Sequence, residues 1–154
     1  LKNLGFIPKL IMNLKLFLNK KIPTIVGLDH ISYRINPIDR WFNFYFEAKE
    51  RGLDPLWTIN HGWISGIYYK DPDGNLVEIF FEHFSSAEEF KSNISPDFED
   101  EPIGTNMDVE VLYEMYKAGS DFSELITKGN TVPEGKKPVS GFDAVVNMKK
   151  KFKD

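Results

Sequence analysis

The segment Asp71-Pro72-Asp73-Gly74-Asn75 constrains this chain more than any other stretch. Proline presets φ for a turn, while glycine and asparagine accept positive φ at its close. A β-rich run lies on each side, Trp63 to Lys70 (WISGIYYK) and Leu76 to Glu82 (LVEIFFE). Together they read as two antiparallel strands joined by a tight turn. Upstream, Gly27 to Ile35 (GLDHISYRI) reads as a strand. His30, Ser32 and Arg34 share one of its faces, and Ile31, Tyr33 and Ile35 the other. Asp39 to Arg51 has helical spacing, with Trp41, Phe42, Tyr45 and Phe46 on its apolar side. Pro37 suits a helix's first turn, and Gly52 suits its C-cap. Pro55 to Asn60 reads as a further short strand. The order is strand, helix, then meandering strands. That is a βαβββ module, and it predicts an α+β fold with a mixed sheet curved to one side.

The rest of the chain divides around this module, which spans 27–84. In the first 26 residues, Leu4, Ile7, Leu10, Ile11, Leu14, Phe17 and Leu18 fall at helical spacing, and all the charges are lysines. A basic amphipathic helical segment is expected over 1–26, beginning near Pro8. Its apolar stripe covers a sheet or, as a second reading, rests on a membrane surface or serves targeting. A helical C-terminal extension is expected over 85–128. Ser85-Ser86-Ala87-Glu88 resembles a capping box and starts a short helix to about Lys91. Asn93 to Asn106 reads as a loop. Asp108 is positioned to cap a helix through Leu112 to Gly119, and Asp121 or Ser120 another through Leu125 to Lys128. Residues 129–154, with Lys149-Lys150-Lys151 near the end, read as a flexible basic tail.

Composition narrows the function classes. A length of 154 residues suits one domain, and the absence of cysteine excludes a disulfide scaffold and a cysteine nucleophile. A net charge of −4 argues against a dedicated nucleic-acid binder. No apolar run reaches the roughly 18 residues a membrane span needs. No secretory cleavage pattern is present, and a cytoplasmic location is expected. The chain opens with Leu1 rather than Met, as expected of a processed product or a fragment.

The candidate chemistry rests on three histidines and one carboxylate. His30 lies within an apolar strand, where a histidine is more often a hydrogen-bonded core residue than a ligand. Glu78 lies between Val77 and Ile79 in a strand, and a charged residue there needs a partner. Both point from strands toward an apolar-lined concavity. An imidazole and a carboxylate on neighbouring strands supply two thirds of a 2-His-1-carboxylate metal site. His61, before Gly62 at the mouth of the sheet, suits a general acid or base. Tyr68 and Tyr69 point to opposite faces, one toward a substrate and one into packing. His83 follows the last strand and is expected to be exposed.

The run from His61 through Tyr68, Asp71-Pro72 and Gly74 to Glu78 resembles the signature of type I extradiol ring-cleavage dioxygenases. That signature runs histidine, an apolar residue and tyrosine, an acidic or polar residue, proline, glycine, then glutamate. The Asp-Pro-Asp-Gly turn alone is less specific. It recurs across the wider vicinal-oxygen-chelate superfamily, which includes glyoxalase I and bleomycin-resistance proteins. Gly27 to Ile35 is similar to the first strand of a βαβββ module in that superfamily. The resemblance covers about Gly27 to Lys128. It implies that His30 and Glu78 are iron ligands and that His61 stands beside bound substrate and oxygen. It implies that Tyr68 donates a hydrogen bond to a catecholate oxygen. It further implies Fe(II), or another divalent metal, and a small aromatic or vicinal-oxygen substrate bound through both oxygens. The implied activity is ring cleavage by an oxidoreductase of aromatic catabolism.

The resemblance also implies a third ligand, a histidine from the opening strand of a preceding module. No histidine precedes His30. The expectations are a fragment, a truncated gene product, a partner chain that completes the site, or a module that has lost its metal. The competing functions are a catalytically inactive binding or dimerisation module and a glyoxalase-type lyase or isomerase. A homo-oligomer or paired module is expected, since half of a paired fold exposes the sheet face its partner covers.

Overall fold

The structure, a computed structural model, describes residues 29–93, 98 and 101–143. The N-terminal helical segment expected over 1–26, Gly27 and the end of the basic tail lie outside the described residues.

The elements run β1 (Ile31–Arg34), α1 (Ile38–Glu50), β2 (Trp57–Asn60), β3 (Ile64–Lys70) and β4 (Leu76–Glu82). They continue with α2 (Ala87–Asn93), β5 (Thr105–Asn106), α3 (Val109–Lys117) and α4 (Phe122–Ile126). The five strands form one mixed sheet in the order β1-β4-β3-β2-β5. β1 pairs with β4 in parallel, because α1 carries the chain across the sheet between β1 and β2. β2, β3 and β4 meander antiparallel. The expected βαβββ order and α+β class are thus present. The turn from Asp71 to Asn75 closes the hairpin as its residues predict. Asn75 donates from its backbone to the Asp71 side chain at 2.7 Å, and Gly74 sits at φ 88°.

Each face of the sheet has its own chemistry. On one, Ile67, Ile79 and Phe81 pack against Trp41, Phe42 and Tyr45 of α1, Val109 and Leu112 of α3, and Leu125 of α4. Trp41 is 0% exposed and donates its indole N–H to the Ile79 carbonyl at 3.0 Å, so α1 is tied to β4 at a fixed height. On the opposite face stand Ser32, Gly66, Tyr68, Glu78 and Trp57, as the strand register requires.

Two expectations from the sequence are refined here. Within the expected loop, Thr105 and Asn106 pair with Asn60 and Ile59, adding a fifth strand. Two residues carry too little pattern to be read as a strand. Asp121 precedes α4 without a side-chain capping bond, whereas Asp108 caps α3 by accepting from the backbone of Glu110 and Val111. Ser86 accepts from the Glu89 backbone at 3.1 Å, as the box-like start of α2 predicts. Between 129 and 143, Asp108 donates from its backbone to the Thr131 carbonyl at 2.6 Å, and Asn106 to that of Val139 at 3.0 Å.

Leu112 is 1% exposed in the cluster that joins α3 to α1, so Leu112→Ala is expected to cost about 2–5 kcal/mol. Asp108→Ala removes only a cap and is expected to cost about 1 kcal/mol. Urea unfolding of both variants checks the order; a larger loss for Asp108→Ala contradicts this account of the core.

Candidate active site

Glu78 is the centre of the second face. In the register, Ser32 of β1 stands beside it on one side and Tyr68 of β3 on the other, with Trp57 of β2 beyond Tyr68. One row thus crosses four strands. Glu78 is 3% exposed, so its charge is taken out of water and must be met by the protein. Ser32 Oγ donates to Oε2 at 2.6 Å. His30 Nε2 lies 3.4 Å from the same oxygen, and His61 Nε2 lies 3.6 Å from Oε1. Oε1 accepts no hydrogen bond. Burial works to raise the Glu78 carboxyl, but the polar groups of His61, Ser32 and Tyr68 turned toward it outweigh burial and hold it below the usual carboxylate range.

The structure sets the state of both imidazoles. His61 Nδ1 lies 2.6 Å from the Ile103 carbonyl, which can only accept, so Nδ1 carries the hydrogen. His30 Nδ1 lies 2.9 Å from the Asp29 carboxylate, with the same consequence. Each ring therefore turns its Nε2 toward Glu78. The His61 Nε2 lone pair is met by the Tyr68 hydroxyl, while that of His30 faces the carboxylate, an arrangement that a bound cation would suit.

A divalent cation fits two of these groups. Neighbouring ligands about 2.1 Å from one ion stand about 3 Å apart, close to the His30–Glu78 separation. A backbone or carboxylate acceptor behind the ring is also how ligand histidines are held. Among the described residues no group of three His, Cys, Asp or Glu is arranged to hold a metal ion. His30 and Glu78 thus fit as part of a ligand set and not as a whole one.

The four residues singled out from sequence stand together. Tyr68 donates to His61 Nε2 at 3.4 Å and meets the His30 ring edge-on at 5.4 Å. Burial first, and then the Glu78 charge, pushes the Tyr68 phenol up, so it remains a donor. Tyr69 turns to the other face and packs on Phe44. Sequence reasoning missed three participants. Ser32 was visible only as sharing the parity of His30. Trp57, whose ring lies 5.0 Å from Tyr68, gives the site a flat apolar wall. Gly66 gives Glu78 room, since a Cβ there would stand 2.5 Å from Oε1.

His83 corrects an expectation. It is 4% exposed rather than exposed, because it extends the parity of Phe81 into the core face. Its Nε2 meets Ser65 Oγ at 2.8 Å. Burial pushes its imidazole down to about 3, so it stays neutral and apart from the Glu78 site.

Comparison with known proteins agrees with the motif. Residues of this chain are 31% identical over 112 positions to biphenyl-2,3-diol 1,2-dioxygenase 3 of Rhodococcus globerulus, covering 72% of this chain and 59% of that protein. They are 28% identical over 111 positions to biphenyl-2,3-diol 1,2-dioxygenase 2 of the same organism, covering 71% and 58%. The chain therefore spans less than two thirds of the length of these relatives. No family model matches the chain, and no solved structure does. The signature and the βαβββ order agree with this likeness to the two biphenyl-2,3-diol dioxygenases. Among the described residues, no helix is long and apolar enough to cross a membrane.

The unfolded His83 takes a proton as pH falls below about 6.5, while the buried ring resists until about 3. Its burial therefore stabilises the fold fully above that window, and this contribution is lost as pH falls through it. Replacing the ring by His83→Gln is expected to reduce the stability lost between about pH 7 and about pH 5. Equal losses in both proteins, measured by urea unfolding, contradict the assignment of a neutral buried His83.

Proposed function

We propose that this chain carries the Glu78-centred half of an extradiol dioxygenase site and takes part in ring cleavage of a catechol-type substrate. The observation that carries the reading is the convergence of His30, His61 and Tyr68 on a buried carboxylate with one unpartnered oxygen. His30 and Glu78 would hold Fe(II), with the third protein ligand coming from outside the described residues, elsewhere in the protein or from a paired chain. The ion would supply Lewis-acid chemistry that lowers the pKa of a substrate hydroxyl.

The chain's own residues then have separate tasks. His61 stands ready as the base. Its Nδ1–H is held by the Ile103 carbonyl, its Nε2, met by the Tyr68 hydroxyl at 3.4 Å, takes a proton from the substrate hydroxyl as Tyr68 turns to the substrate, and the Ile103 carbonyl then stabilises the imidazolium. Tyr68 keeps its proton because of burial and Glu78, and donates its hydrogen bond to a substrate oxygen. The Trp57 ring offers a flat surface to an aromatic ring. The relatives' names point to an aryl-substituted catechol as the first substrate to try.

The test is iron content and catechol-dependent oxygen uptake of anaerobically purified protein, with 2,3-dihydroxybiphenyl as substrate. Glu78→Ala and His30→Ala are expected to lose both. His61→Gln is expected to keep iron and lower the rate about 10²–10⁴-fold. Oxygen uptake that survives Glu78→Ala contradicts the proposal. Absence of iron from the protein and from its longer or paired forms, with the fold unchanged in both alanine variants, points instead to a metal-free binding module.

A further inference from the structure

The Glu78 carboxylate is held at one oxygen and given room at the other by features that the proposed chemistry does not use. The parallel register of β1 with β4 sets Ser32 directly beside Glu78. The 2.6 Å bond from Ser32 Oγ to Oε2 is in the short range of a hydroxyl on an ionised acceptor. The other oxygen lies over Gly66 of β3, the diagonal neighbour of Glu78 across the hairpin. An added Cβ at Gly66 would meet Oε1 at 2.5 Å and the carboxyl carbon at 3.3 Å. Gly66 is not among the glycines with positive φ, so its backbone does not call for glycine. What calls for glycine is the space the carboxylate occupies.

We propose that Ser32 and Gly66 are positioning residues for Glu78. Ser32 ties down Oε2, and Gly66 admits Oε1, so that the carboxylate keeps one orientation with lone pairs left for a divalent cation beside His30. Without the hydroxyl, the carboxylate is free to turn about its last torsion, which is broad and weakly restrained. Without the glycine, Oε1 is driven off the strand. The cation part rests on the function proposed above; the orientation part does not.

Co²⁺ is the probe, followed by calorimetry and by its visible absorption. Ser32→Ala is expected to weaken Co²⁺ binding about 10- to 100-fold and to alter the absorption bands. Ser32→Thr keeps the hydroxyl on a strand and is expected to restore both. Gly66→Ala is expected to behave as Ser32→Ala; if it fails to fold, the Ser32 pair decides. Metal-free crystal structures of the native protein and Ser32→Ala read the orientation alone, with a turned Glu78 carboxylate expected in the variant. Unchanged Co²⁺ affinity in Ser32→Ala, or a carboxylate that stays in place, overturns the proposal. If the native protein takes up no Co²⁺, a turned carboxylate in Ser32→Ala upholds the positioning role while the proposed function fails.

Discussion

A carboxylate buried in the middle of a sheet is the constraint around which this structure is arranged. Glu78 is 3% exposed on β4. Removing a charge from water costs several kcal/mol in a protein unless neighbouring groups meet it. Here they come from separate strands: Ser32 from β1, Tyr68 from β3, and His61 from the end of β2. The two histidines have their hydrogens fixed on Nδ1, and the Nε2 of His30 faces the carboxylate. A structural ion pair would place a donor hydrogen there. A bound cation would take the place of that hydrogen.

The core face makes that arrangement rigid. The α1 crossover is what brings β1 beside β4, and so brings Ser32 and His30 to Glu78. Trp41 pins α1 to the Ile79 carbonyl, one residue from Glu78. Phe81 lies 4.9 Å from the Trp41 ring and secures the following turn of the pleat. The polar row thus sits on a strand whose alternate side chains are locked in an aromatic core, as pre-organised sites require.

Much of this was legible in the residues. The turn at Asp71–Asn75 declares the hairpin. The parity of Leu76 to Glu82 puts Glu78 on the face away from Ile79 and Phe81. The spacing from His61 to Glu78 carries the resemblance that the relatives support. Other features depend on pairing between distant strands, which local pattern does not carry. Ser32 meets Glu78 only because β1 and β4 are parallel in one register, and Gly66 matters only because Glu78 lies across it. The burial of His83 was missed because it sits just past the strand, where alternation is not expected to continue, yet its backbone still bonds to Trp63. β5 escaped notice because two residues are too short a run to show a period.

In the proposed site His30 and Glu78 would share one cation, with His61 apart from it as a base. The most direct measurement is anomalous diffraction at the iron edge from anaerobic crystals loaded with Fe(II). A peak is expected about 2.1 Å from both His30 Nε2 and a Glu78 carboxylate oxygen, with His61 Nε2 outside that distance. No peak between His30 and Glu78, or an ion held by His61 in place of His30, would contradict this arrangement.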